Sequence, residues 1–405
     1  MSDASIAGVE WLADPALQTL LAALSQGGEE ARVAGGAVRN ALLGEAASDV
    51  DIATTTLPDE TMRRAREAGF KTVPTGIEHG TVTVVAAGKP YEVTTLRADV
   101  DTDGRRATVA FGRDWKADAE RRDFTINGLY ARADGTVVDL VGGVADLDSR
   151  TLRFIGDAEQ RITEDYLRIL RFFRFFAWYG AGRPDAEGLK ACVRLKGGLA
   201  QLSAERVWSE LRKLLGAPDP SRALLWMRQA SVLTSVLPES EKWGIDAIHL
   251  LVAAERAHGW SPDAMLRLEA IVPPDAARLR AMAERLRMSN GEASRLDDFA
   301  TSAPANALMS EREFGKALYR GKPGGVKDRL RLAIAGGNQA AKLQRQLVFA
   351  TAWERPRFPV GGDDLKALGM TAGPAMGARL KQLEDQWVAS SFSLTREQLL
   401  AQGRR

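Results

Sequence analysis

The feature that most constrains this chain is a change of hydrophobic period near Thr151. Before it, short apolar runs alternate with polar residues and stop at Gly or Pro, the pattern of half-buried strands. After it, strand signals fade and apolar positions recur at three- and four-residue spacing almost to the end. A strand needs partners in a sheet, whereas an amphipathic helix needs only a facing stripe. The two regimes therefore predict an α/β (α+β) head with a mixed sheet over residues 1–150, followed by an elongated all-α body. Within that helical part, residues 151–217 read as a neck and 218–405 as body and tail. At 405 residues the chain exceeds what one core usually serves.

Local signals fill in the head. A leucine-rich helix (Leu17, Leu20, Leu21, Leu24) leads through Gly27-Gly28 to a strand at 31–34, which Gly35-Gly36 ends; a helix resumes at Val38–Leu43. Residues 49–53 alternate as a strand, and Pro58 with Asp59 and Glu60 opens a helix running to Gly69. Two β-rich runs, 81–86 and 91–96, flank Gly88-Lys89-Pro90 as a hairpin turn. Residues 98–114, rich in aspartate, arginine and glycine, read as a polar loop. In the helical part, breaks fall near 180–184, 216–220, 273–274, 321–325 and 356–362.

Bulk properties exclude several classes. The single cysteine, Cys192, rules out an intrachain disulfide and a cysteine-cluster zinc site, and its apolar neighbours mark it as a core residue. No apolar run reaches the ~20 residues of a membrane span, and the N-terminus lacks signal-peptide order, so the expected location is cytoplasmic. A net charge of +2 neither demands nor excludes nucleic acid. His79, His249 and His258 are too scattered for a metal site.

Chemistry concentrates in Val33-Ala-Gly35-Gly36-Ala-Val-Arg39-Asn40, followed by Ser48-Asp49-Val-Asp51-Ile52. In a strand, residues two apart share a face, so Asp49 and Asp51 would present two carboxylates together. Such a pair is unfavourable without a cation, and hard oxygen ligands suit Mg²⁺. Gly35 and Gly36 let a phosphate approach the backbone, and Arg39 can add a charge-assisted contact. The order Gly-Gly, helix, Asp-x-Asp resembles the signature of the DNA-polymerase-β-like nucleotidyltransferases. The wording GGAVRNALLG…SDVDIAT is similar to the bacterial class II tRNA CCA-adding enzyme and poly(A) polymerase family. That resemblance implies metal binding by Asp49 and Asp51, with Glu92 as a third catalytic carboxylate on a strand able to pair beside them. Where the family usually carries Arg-Asp, this chain has Arg39-Asn40.

Two further strings match the family. Arg121-Arg122-Asp123-Phe124-Thr-Ile-Asn127 resembles its RRDF-x-x-N motif, which implies Arg122 on phosphates and Asp123 and Asn127 on ribose hydroxyls. Glu164-Asp165-Tyr-Leu-Arg168, continuing to Arg171 and Arg174, reads as one helix with these groups three apart. A carboxylate and a guanidinium one turn apart can match an amine beside a ring nitrogen, an edge that cytosine and adenine share. The resemblance assigns Asp165 and Arg168 to the base, and Arg171 and Arg174 to phosphate or to orienting that pair. Leu202–Leu211 reads as a structural neck.

The activity these residues imply is template-independent addition of CCA to the 3′ end of tRNA from CTP and ATP, with Mg²⁺ as cofactor, tRNA as partner, and neither membrane nor protein partner implied. Poly(A) polymerase is the alternative enzyme; an inactive RNA-binding protein is a third reading, against which the intact Asp49, Asp51 and Arg122 stand. In the body, Lys316, Arg320, Lys322, Lys327, Arg329 and Arg331 cluster around Gly324-Gly325 as either an RNA-phosphate contact or a solvated helix face.

Overall fold

The computed structural model describes residues 4–46, 49–103, 106–241, 244–337 and 339–403. The chain forms two compact units, Met1–Val236 and Leu237–Arg405.

In the first unit, α1 (Pro15–Leu24) takes its start from Asp14, whose side chain accepts from Ala16 N, and buries Leu17, Leu20, Leu21 and Leu24. It is followed by β1 (Ala31–Ala34), α2 (Gly36–Leu42), β2 (Asp51–Thr54) and α3 (Pro58–Glu67). Then come β3 (Lys71–Gly76), β4 (Thr81–Ala86), β5 (Lys89–Thr95), β6 (Arg97–Asp103) and β7 (Arg106–Phe111). After α4 (Trp115–Glu120) come β8 (Leu129–Ala131), β9 (Val137–Asp139) and α5 (Gly143–Asp148). Seven strands make one sheet in the order β3-β4-β5-β2-β1-β8-β9. It is mixed: β2 and β5 run parallel while the other pairs are antiparallel. β1 is buried on both faces, Arg32 included, whose guanidinium pairs with Glu30 and lies 3.9 Å over the Trp115 ring.

Three local expectations need correction. The second strand begins at Asp51, not Asp49, because its antiparallel pairing with β1 ends at Ala34↔Asp51, where Gly35 turns β1 away. Most of the 98–114 segment is paired and not loop: β6 and β7 form an antiparallel two-stranded ribbon whose Arg97 sits opposite Phe111, while 104–105 lie outside the described residues and 112–114 are irregular. The hairpin turn between β4 and β5 is Ala87-Gly88, both at positive φ (48° and 80°), and Pro90 already lies in β5 opposite Val85. A two-residue turn with both φ positive matches the twist of the flanking strands.

The rest of this unit is helical. α6 (Ala158–Glu164), α7 (Leu167–Tyr179), α8 (Ala186–Leu195) and α9 (Ala204–Leu215) follow the last strand. α6 and α7 are separate helices, so Glu164 to Arg174 do not lie on the single helix that the spacing predicts. Asp165 leaves helical geometry (φ −157°, ψ 107°), and its Oδ1 accepts from Leu167 N at 3.1 Å, holding the start of α7. α7 buries Leu170, Phe172, Phe173 and Phe176, with Phe172 stacked on Phe154 at 5.5 Å. Cys192 is fully buried in α8, and burial pushes its thiol pKa upward, as suits a core residue.

The second unit is entirely helical among the described residues. Capping boxes at Ser289/Glu292 and Ser310/Glu313 start two of its helices. Phe314, Leu318, Leu330, Ile334, Leu343 and Leu347 form one apolar cluster; Leu365, Met376, Leu383, Trp387 and Leu399 belong to another. No described helix is long and apolar enough to cross a membrane.

Candidate active site

The site is built where β1 hands over to α2. Gly35 has φ +67°, and a Cβ there would lie 3.1 Å from Arg122 Nη1, so a side chain would be strained and would crowd the guanidinium. Arg122 is held from behind. Its Nη2 reaches Asp118 Oδ2 at 3.3 Å, and its Nη1 donates to the Asn127 carbonyl at 3.3 Å. The same Oδ2 accepts the Tyr130 hydroxyl at 2.6 Å, while Arg121 Nε donates to Oδ1 at 2.8 Å. Burial alone would raise the Asp118 pKa, but Arg121 and Arg122, with Tyr130, outweigh it and hold the carboxyl below its ordinary value.

Asp51, at the start of β2, faces that arginine. Glu92 lies in β5, whose parallel register with β2 (Ile52↔Val93) puts it beside Asp51 at the next position back. Asp49 is exposed, just ahead of the strand. Burial, then Glu92, raises the Asp51 pKa; Arg122 opposes and Asp49 adds to the rise. No three His, Cys, Asp or Glu side chains among the described residues close into a ready-made metal cluster. The three carboxylates nevertheless repel one another across Asp51, and a hard divalent cation is the partner that would relieve this. By donor type and mutual charge, Asp49, Asp51 and Glu92 fit such an ion.

Asp123 does not wait for a ribose. It is buried, and its Oδ2 accepts a hydrogen bond from Arg171 Nε at 2.7 Å and pairs with Arg171 Nη2 at 2.5 Å. Its Oδ1 accepts from Phe124 N and Asn127 Nδ2, each at 2.9 Å. The other side of Asn127 meets Arg39: Arg39 Nη1 donates to Asn127 Oδ1 at 2.5 Å. The guanidinium of Arg39 also donates to Asn40 and to the Tyr179 hydroxyl. A continuous network thus ties α2 through the RRDF-x-x-N segment to α7. Phe175 is its apolar centre, with Arg174, Arg171 and Arg39 over its ring at 4.1, 5.3 and 5.4 Å.

Asp165 and Arg168 are one turn apart as expected, but each is held by another group. Arg206 Nη2 donates to Asp165 Oδ2 at 2.6 Å, whereas Arg168 pairs with Glu164 and donates to the Arg161 carbonyl at 2.7 Å. Arg206 lies in the Leu202–Leu211 stretch, which by sequence reads as a structural neck. Its Glu205-Arg206 position at the start of α9 was the available signal, but only the tertiary fold brings it to Asp165. Arg174 turns to Glu210, with its Nε 2.5 Å from Oε2.

These residues surround one cleft of about 510 Å³, lined by Gly35, Gly36, Asp51, Asp165, Leu167 and Phe175, by Arg39, Arg121 and Arg122, and by Asp123, Asn127, Arg168, Arg171 and Arg206. Asp49, Glu92 and Arg174 are not part of its lining. The volume is of nucleotide size, and six arginines against three aspartates give it a positive balance suited to a polyphosphate.

Comparison with known proteins agrees with this geometry. A family model described as "Poly A polymerase head domain" matches residues 31–153, and one described as "Probable RNA and SrmB- binding site of polymerase A" matches 183–243. The CCA tRNA nucleotidyltransferase 1, mitochondrial, of Danio rerio is 36% identical over 390 residues, spanning 92% of this chain and 86% of the relative. The chain belongs to the CCA-adding tRNA nucleotidyltransferase family. A CCA-adding enzyme of Levilactobacillus brevis is 31% identical across 96% of both chains. The Bacillus stearothermophilus CCA-adding enzyme, solved in complex with CTP, aligns with a TM-score of 0.77 at 28% identity, covering 96% of this chain and 97% of that one. As a member of this family, the protein is a nucleotidyltransferase, and the mixed-sheet head followed by helices is the architecture of its relatives.

Proposed function

We propose that the protein adds CCA to the 3′ end of tRNA, taking cytidylate from CTP and adenylate from ATP, with residues 1–150 as catalytic head, 151–217 as base-reading neck and 218–405 as the RNA-binding part. The observation that carries this reading is the single cleft into which Gly35, Asp51, Arg122, Asp165 and Arg168 all face. In the reaction the terminal ribose 3′-oxygen bonds to the α-phosphorus and the bond from that phosphorus to the bridging oxygen breaks. Pyrophosphate departs with the electron pair, and the hydroxyl proton passes to water. Arg122 and Arg39 hold the triphosphate; the glycines leave room for it against the backbone. Asp49, Asp51 and Glu92 would hold Mg²⁺, which when bound lowers the pKa of the attacking hydroxyl and offsets charge on the leaving group.

The base is read at the α6–α7 break. A carboxylate has about four acceptor sites, and Asp165 uses one on each oxygen, for Leu167 N and for Arg206. Acceptor capacity remains for an exocyclic amine, while Arg168 can donate to the adjoining ring nitrogen. Guanine and uracil present a carbonyl where the amine is needed, which would leave buried groups unpaired. Asp123 and Arg171 act behind this pair as its support, and contact with ribose passes to the one remaining Nδ2 hydrogen of Asn127.

The support for RNA contact by the 316–331 cluster is weak. Arg320 and Lys322 end on Asp385 and on Asp297 and Asp298, Arg331 lies 3.6 Å from Asp328, and Lys316 and Arg329 end on carbonyls. The solvated-face reading fits these contacts better.

The test is a gel assay with Mg²⁺ and a tRNA transcript lacking its last three nucleotides. Two additions with CTP alone, and a third once ATP is present, are expected. A long ladder with ATP alone would move the function to polyadenylation, and no product would leave RNA binding only.

A further inference from the structure

Six arginines line the cleft, and five of them have a carboxylate partner. Arg121 and Arg122 share Asp118, Arg168 has Glu164, Arg171 has Asp123, and Arg206 has Asp165. Arg39 alone among them is different. It is 6% exposed, and each of its four hydrogen bonds ends on an uncharged oxygen. Nε and Nη2 both donate to Asn40 Oδ1 (3.1 and 2.9 Å), Nη2 also to the Tyr179 hydroxyl (2.7 Å), and Nη1 to Asn127 Oδ1 (2.5 Å). Its guanidinium carbon lies 4.0 Å over the Tyr179 ring. A guanidinium carries five N–H groups, so one Nη1 hydrogen is left over on the side chain lining the cleft. The charges acting on it from beyond hydrogen-bond contact are Arg174, which opposes its protonation, and Glu45, which favours it. A buried cation that is fixed in place but not neutralised is disfavoured until an anion arrives.

We propose that Asn40 sets the affinity of this cleft for polyphosphate: it anchors the Arg39 guanidinium through two hydrogen bonds without neutralising it, so that Arg39's charge is kept for a phosphate of the incoming nucleotide. Asn40 is here a positioning residue, acting through Arg39. The inference rests on the nucleotide-binding reading of the cleft, but not on transfer to RNA. Placing a carboxylate at the same position would keep the two hydrogen bonds and satisfy the charge internally. It would lose the bond that Asn40 Nδ2 donates to the Ala46 carbonyl (3.0 Å), but the cleft would become a poorer anion site.

The experiment is Asn40→Asp in the full chain, with two probes, CTP and inorganic tripolyphosphate, measured by calorimetric titration in the absence of RNA. Dissociation constants for both probes are expected to rise by roughly tenfold, as for the loss of one charge-assisted phosphate contact. In the same variant the upward shift of the melting temperature produced by CTP should shrink. Asn40→Leu, which removes the anchor and adds no charge, should weaken both probes too but lower the unliganded melting temperature. Unchanged tripolyphosphate binding in Asn40→Asp, or a loss confined to CTP, overturns the proposal. A protein that binds CTP in this pattern yet adds nothing to tRNA would sink the proposed function and leave this inference standing; an active enzyme whose binding ignores Asn40→Asp would do the reverse.

Discussion

The pair Asp123–Arg171 joins the RRDF-x-x-N segment to α7, and Asp123→Asn isolates its charge with little change of shape. The carboxylate is buried, accepts three hydrogen bonds, one of them from Arg171 Nε, and forms a second ion-pair contact with Arg171 Nη2. Removing one member of a buried pair costs about 3–5 kcal/mol. Here the Arg171 side chain keeps 31% of its exposure, so water relieves part of that, and roughly 2–3 kcal/mol remains. For a unit of this size, each kcal/mol moves the midpoint by about 2–4 °C, which gives a fall of roughly 4–12 °C. Burial works to raise the Asp123 pKa, but Arg171 and Asn127 outweigh it and the folded value lies below the ordinary one of 3.8. A carboxylate depressed in this way stabilises the fold fully above its unfolded pKa, and that contribution is lost as pH falls through the folded value. The difference between wild type and Asp123→Asn should therefore be full at pH 7 and should diminish in acid below about pH 4. Scanning calorimetry across pH measures both quantities. A double-mutant cycle with Arg171→Met should return a coupling energy of about 1.5–3 kcal/mol. A variant melting within about 1 °C of wild type at pH 7, or a gap that does not change with pH, would refute the reasoning.

Other outcomes follow from the same geometry. Asp51→Ala should lower nucleotide addition by roughly 10³-fold or more while leaving the melting temperature unchanged or higher, since the carboxylate is held against Glu92 and Asp49; residual activity within tenfold in the primer-extension gel would remove Asp51 from the metal set. Asp165→Ala combined with Arg168→Ala should let UTP and GTP compete with CTP, measured as relative kcat/KM, with RNA affinity nearly unchanged; preserved selectivity would count against base reading by this pair. In the second unit, burial, followed by Asp328, pushes the Glu269 pKa up to about 9, with Arg295 Nε 3.7 Å away and neither carboxyl oxygen hydrogen-bonded. A raised folded pKa means that stability present below the unfolded value is lost as pH rises towards 9, so Glu269→Gln should stabilise this unit by roughly 1–3 kcal/mol at pH 8 and by less at pH 5. A pH-independent difference in denaturant melts would contradict that assignment.

What could be read from the sequence was what spacing alone determines. Gly35 stands where a positive φ strains any side chain and a Cβ would crowd Arg122, and its place before a helix could be recognised from the string itself. Glu92 could be placed beside Asp51 because alternation identified both strands, and a parallel pairing then needed only the register. The errors arise where a long-range partner overrides the local pattern. Residues 164–174 have flawless helical periodicity, yet Asp165 breaks them because its carboxylate caps α7 and meets Arg206, which lies 41 residues away. The 98–114 segment carries too many charges to look like strands, yet the backbones of β6 and β7 pair with each other, a partnership that spacing along either strand does not announce. The same distinction separates the arginines of the cleft. Their presence near the site is written in motifs, whereas the charge each still has to offer a substrate depends on which carboxylate the fold has brought to it. Five have been given one and Arg39 has not. Its neighbour Asn40, a residue that the motif treats as a mere departure, is therefore where the electrostatics of this cleft differ from what its wording implies.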